Sequence, residues 1–199
     1  LTLKMKKLLF TLLLSTSLFA QEKATDLFNA NVSFIGIGIQ YEKALSENFT
    51  AVGSLDYLGG FKYSYSDFYG SDFEYILTTN IALEGRYYYN FDRRIGKGKN
   101  TKNNSGNYIA LKGTYTPDWL TTSNSDNLGV NPQGSITFNY GFKRSFAQNF
   151  FYEFYTGLGL SLYQETYTNY DFDNYTTSEV KSTNTGVALD LGFRVGYNF

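Results

Sequence analysis

Ten charged residues sit at alternating positions inside otherwise apolar stretches: the acids Glu42, Asp56, Glu84, Glu153 and Asp190, and the bases Lys62, Arg86, Lys112, Lys143 and Arg194. Five of each sign is the composition of a neutralised interior. Charges brought together out of water must pair, because stranding one costs about 3–5 kcal/mol. The chemistry expected of this set is therefore a structural ion-pair network centred on Glu84, Arg86, Glu153, Asp190 and Arg194. Enzymatic readings meet missing residue types. There is no His to serve as the general base of an acyl-transfer or proteolytic triad. Without His or Cys, zinc lacks its usual ligands. Asp171 and Asp173 in YDFDN offer oxygen ligands to calcium, but that spacing is the ordinary composition of a solvated turn. No phosphate-cradling glycine motif opens a helix. The expectation is a non-enzyme with no cofactor and no metal.

The elements that carry these charges read as strands. From Gly186 to Phe199 the period is two: Val187, Leu189, Leu191, Phe193, Val195, Tyr197 and Phe199 share one face, and Asp190, Arg194 and the glycines share the other. The same alternation runs through Phe49 to about Ser66, resumes after a loop at Asp67–Asp72 and continues to Phe91, and runs again through Tyr108–Thr116, Ser135–Arg144 and Phe150 to about Tyr167. Near Phe34 and Ile35 the apolar parity flips, which requires a bulge or a tight turn. Gly59-Gly60 is a second place where a strand could break into a hairpin. Residues 92–107, DRRIGKGKNTKNNSGN, have no period and read as a solvated turn. Residues 117–131 and 168–184 read as polar loops.

The start of the chain has the plan of an export signal: Lys6 and Lys7, an apolar run from Leu8 to Leu14 with Leu18 and Phe19, then Ala20 before Gln21. Cleavage is expected after Ala20, leaving one domain over 21–199. The apolar run is well short of the roughly 20 residues that would span hydrocarbon. Losing Lys4, Lys6 and Lys7 takes the formal charge from −1 to −4. That mild acidity leaves no basic footprint for nucleic acid. The absence of Cys in an exported chain leaves strand pairing and burial to hold the fold.

Seven clear strands joined by hairpins run antiparallel. Single-chain outer-membrane barrels have an even strand number with both ends in the periplasm, so an eighth strand is expected within about 23–34. The fold class is then all-β: an eight-stranded antiparallel up-and-down transmembrane β-barrel preceded by a signal peptide. A secreted β-sandwich also alternates, but strands of 10 to 18 residues, a terminal Phe and aromatics grouped at strand ends favour the barrel. The phrases YEKALSENF (41–49), EGRYYYNFDRR (84–94) and SGNYIALKGTY (105–115) carry a resemblance to small outer-membrane barrels of the OmpA-barrel and OmpX type. They are more similar still to uncharacterised barrels of the Bacteroidetes type. The resemblance implies an eight-stranded barrel and no particular activity.

An eight-stranded barrel is only wide enough for side chains to fill. The expected function is therefore a filled barrel in the outer membrane of a Gram-negative bacterium, structural or making surface contacts through its outer loops with Tyr69, Trp119 and Tyr170. The alternative is a narrow, porin-like channel for ions or small apolar molecules, with gaps left by the inward Gly157, Gly159, Gly192 and Gly196. Expected partners are outer-membrane lipid, the barrel-assembly machinery, for which Tyr197 and Phe199 would be the signal, and extracellular ligands.

Overall fold

Alternation gives every strand one apolar and one polar side, and hydrogen bonding needs then join the strands edge to edge. The computed structural model describes residues 24–66, 70–125, 128–171 and 176–199. Nine strands form one antiparallel sheet: β1 (Leu27–Ser33), β2 (Gly36–Ala44), β3 (Phe49–Ser66), β4 (Gly70–Tyr87), β5 (Asn107–Thr116), β6 (Thr121–Ser123), β7 (Gln133–Phe146), β8 (Phe150–Asp171) and β9 (Thr176–Asn198). Eight of them close a ring, because β1 pairs with β9 and β3 with β4. β6 adds to the edge of β4 above β5, pairing Thr78 with Thr121. The expected signal peptide lies outside the described residues.

The first strand falls inside the expected stretch, and the parity flip at Phe34 and Ile35 is a tight turn that returns β1 into β2. The Gly59-Gly60 pair does not break β3, whose register with β4 runs unbroken from Phe49↔Tyr87 to Ser66↔Gly70. Three expectations need correction. The stretch expected as a loop over 168–184 is mostly strand, since β8 and β9 pair as far as Asp171↔Thr176. The loop 117–131 contains β6, which makes nine strands where eight were expected. Residues 92–107 are not an aperiodic turn: a short helix, α1 (Phe91–Gly96), and a turn of 3-10 helix at Lys102–Asn104 fold there. Polar composition hid this helix, which is held at one end of the ring by Arg94 donating to the Asn100 carbonyl (2.7 Å) and by Phe91 buried under it.

The outer wall is apolar. Val32, Ile37, Leu83, Leu111, Ile136, Phe138, Leu158, Leu160, Val187 and Leu189 are each 60–81% exposed. At the end holding both strand termini, rings replace the aliphatic residues. Phe146 lies 5.9 Å from Phe150, Phe150 5.1 Å from Tyr197, Tyr197 5.2 Å from Phe199, and Phe199 5.8 Å from Phe28. The Phe199 N–H also donates to the Phe28 carbonyl (2.9 Å), tying the last residue to β1.

The ring closes around small residues. A Cβ at Gly159 would lie 1.9 Å from the Ile136 carbonyl oxygen, whereas one at Gly113 meets nothing within 4 Å. Gly159→Val is expected to force β7 from β8 and cost at least about 1–3 kcal/mol, read as a lower urea midpoint, and Gly113→Ala to leave the midpoint unchanged. Ahead of β1, burial raises the Asp26 carboxyl, but hydrogen bonds from Lys43 (2.5 Å) and from the Ala44 N–H (2.9 Å), with the Lys43 charge, together outweigh it and hold the group below its ordinary 3.8. A depressed carboxyl stabilises above its unfolded value and stops doing so as pH falls through the folded one. Protection of the Ala44 amide, relative to its intrinsic exchange rate, should accordingly fall as pH drops below the ordinary carboxylate range in the native chain and be low at every pH in Asp26→Ala.

Candidate functional site: a sealed ionic layer under an open cavity

Register alone brings several of the inward charges side by side. Lys143 stands opposite Glu153, Glu153 opposite Arg194, and Glu84 opposite Lys112. Closure of the ring adds contacts across the interior. Glu153 is the hub, with Arg86 Nη1 2.8 Å from Oε1 and Arg194 Nε 2.9 Å from Oε2. Arg86 Nη2 lies 2.9 Å from Glu84, and its Nη1 3.9 Å from Glu42. Lys143 Nζ reaches Glu42 at 3.2 Å, linking residues 101 apart in sequence. Three carboxylates thus meet three cations, and the layer is neutral. Glu42, Arg86, Lys143 and Glu153 are each no more than 1% exposed.

Aromatic side chains finish the layer. The Tyr108 hydroxyl donates to Glu153 (2.7 Å), and the Tyr88 and Thr50 hydroxyls donate to Glu42 (both 2.8 Å). The Arg86 guanidinium lies over the Tyr108 ring at 4.5 Å, and the Lys143 ammonium over Phe151 at 4.7 Å. Such contacts favour a desolvated cation over a ring face. Phe91 stacks on Tyr88 at 4.6 Å and 7° and closes the end of the ring. Periodicity puts Phe91 on the outer face; the strand ends at Tyr87, and the helix turns its ring inward, where it is fully buried. Tyr108 and Phe151 are the residues that sequence reasoning missed. Their parity with Lys112 and Glu153 is the signal that places them inside.

Above this layer stands a second pair. Lys112 Nζ is 2.9 Å from Asp190 Oδ2, which also accepts from Asn139 Nδ2 (2.7 Å). Asp56 faces the same space within electrostatic range of Arg194 and Lys112, with no direct ion pair among the described residues. Lys62 is opposite Glu74 in the β3–β4 extension, beyond the layer, and its side chain lies outside the described residues. The structure thus brings eight of the ten expected charges into two tiers, with Asp56 beside the upper one. The space around Asp56, Lys112, Asp190 and Arg194 is a cavity of about 680 Å³.

The other expected site residues are scattered. Tyr69 lies outside the described residues, as do Asp173 and the side chain of Asp171. Trp119 lies in the stretch between β5 and β6, half exposed, where with Leu120 it lines a groove on the outer wall beside Tyr57. Tyr170 lies on strand β8, opposite Thr177, and is 43% exposed. Tyr197 and Phe199 belong to the aromatic belt.

Because Glu153 serves two guanidiniums and a phenol, Glu153→Gln is expected to cost about 3–5 kcal/mol. Lys43→Ala, which removes the exposed pair with Asp26, is expected to cost no more than about 1 kcal/mol. Urea unfolding measures both, and equal losses would show that burial of the layer counts for nothing. No family model, curated protein or solved structure matches the chain.

Proposed function

We propose that this chain is a transmembrane β-barrel of a Gram-negative outer membrane, closed to ion flow by its ionic layer, with a structural and surface-contact role. One observation carries the reading. The ring is inside out relative to a soluble protein, with buried ion pairs within and a continuous band of exposed Leu, Ile, Val and Phe without. Patches larger than a few hundred Å² are rare on soluble monomers and mark lipid or protein contact. A closed sheet is also the only β architecture that satisfies its backbone groups in lipid. The ring of Phe and Tyr around the end with the termini suits a membrane interface. On this reading that end faces the periplasm, and the belt residues Tyr197 and Phe199 are the mark for the assembly machinery.

The surface-contact part rests on two hairpins. β3–β4 continues eight residues past the last β2 partner of β3, Leu58. β8–β9 continues beyond Tyr163, the last residue that β7 pairs, as far as Asp171. These extensions form the outer end and present Phe61, Phe73, Tyr167 and Tyr170, rings that give large contact area at small entropic cost.

The test is electrical and thermodynamic. Refolded protein in a planar bilayer should give no stable single-channel steps, and the chain should need detergent or lipid to remain monomeric. Stable steps would replace the closed barrel with a channel. A folded monomer in plain buffer would remove the membrane altogether. Shortening either extension should abolish binding to its surface partner while the ring still folds, whereas unchanged adhesion would remove the surface-contact role.

A further inference from the structure

The wall of the ring is not of even height. β1 has 7 residues and its hairpin turns at Phe34 and Ile35, so β9 loses its β1 partner at Arg194 and β3 loses its β2 partner at Leu58. A membrane-spanning strand needs about 9–11 residues. On β9 the outward apolar series runs on past Arg194 through Phe193, Leu191 and Leu189 to Val187, which is 81% exposed. The hairpin tip, with Phe34 90% exposed, therefore stops within the apolar band. Among the described residues no strand lies between β3 and β9 above the tip, which leaves a notch about 14 Å wide along the wall.

Two observations say what fills the notch. The first is its backbone. The Phe199 N–H points to β1, so by alternation the N–H and C=O groups of Phe193, Leu191, Leu189 and Val187 point into the notch, where β1 no longer reaches. At hydrocarbon depth such groups are tolerated only where they line protein or a wet cavity. The second is the interior space of about 680 Å³, which is lined both by inward Asp56, Lys112 and Asp190 and by outward Val187, Leu189 and Leu191. It wraps around the free edge of β9 and is continuous with the outer wall. Below, the ionic layer floors it.

We propose that the notch is a lateral entrance through which a single-chain amphiphile passes from the outer leaflet into this cavity. Its chain lies against Leu58, Leu189 and Leu191, and its head meets Asp56, Lys112 and Asp190. The head carries a cationic group beside its hydrogen-bonding groups. Arg194 is already paired with Glu153 in the neutral layer below, so the lining sets two acids, Asp56 and Asp190, against one base, Lys112, and Asp56 is left to meet the cation, which a purely anionic head lacks. A space of this volume is within the range of small-molecule sites. The inference rests on the membrane reading above and adds to it a ligand class and a route.

The test uses the full chain in phospholipid nanodiscs with lysophosphatidylcholine carrying a diazirine beside its head, and peptide mapping after illumination. Labelling of Leu58 and Ala188, whose side chains face inward, is expected alongside labelling of Leu189 and Leu191. Ala188→Trp or Ser161→Trp, each filling the cavity without touching the ionic layer, should lower Leu58 labelling about tenfold, as should exchange for anionic lysophosphatidylglycerol. Equal labelling by both probes would overturn the head assignment. Labelling confined to outward residues such as Leu83, Ile136 and Leu160 would overturn the entrance while leaving the membrane reading intact. A cross-linked dimer through β9 would overturn it in favour of a second copy on the free edge. A chain that stays out of the nanodisc, folded in buffer, would remove the membrane reading and the entrance together.

Discussion

Glu153 holds the molecule's interior together. Removed from water, a carboxylate survives only among cations and donors, and here two guanidiniums and a phenol converge on it from β4, β9 and β5. Those three strands are brought within reach only by a ring whose small circumference lets opposite walls touch. The constraint works in both directions. The charges are tolerable because the ring is closed, and the ring is specific because only one closure satisfies these charges. A shift of β8 by one residue would turn Glu153 to the outer wall and leave Arg86 and Arg194 without their shared partner.

The interior is consequently graded along its axis. At the end with the termini, the tyrosines and phenylalanines fill the space between ion pairs until nothing of Arg86, Tyr88 or Tyr108 is exposed. Toward the other end the inward residues become Gly157, Gly159, Gly186 and Ala188, and the same wall encloses a cavity. Packing explains the change. A Cβ at Gly157 would meet Asn139 Oδ1 and one at Gly159 the Ile136 carbonyl, so β7 and β8 approach closely where side chains are absent. A floor and an open upper space are properties of one continuous sheet, separated only by which residues face in.

Wall height follows from hairpin length, and it is uneven around the ring. The extensions of β3–β4 and β8–β9 rise well above the β1–β2 hairpin that lies between them. Strand pairing stops where a turn is placed, so the early turn at Phe34 and Ile35 sets the low point of the wall. The parity flip that marks this turn was plain in the residues. Its consequence was not, because the height of a wall depends on the neighbours of β1 and β2, which come from opposite ends of the chain.

By itself the sequence determined which side of each strand is apolar, since period two is a local property readable over six to eight residues. It also determined that the interior would be charge-balanced, because the residues of inward parity carry both signs equally. Only the tertiary structure decided who meets whom. Lys143 and Glu42 are 101 residues apart, and Lys112 and Asp190 are 78 apart. No local pattern encodes either pair, because each depends on strand register summed around a closed ring. Helix α1 with the inward turn of Phe91, and the notch between β3 and β9, were likewise decided in three dimensions. Each depends on what the rest of the ring leaves empty, and periodicity along one strand carries no record of that.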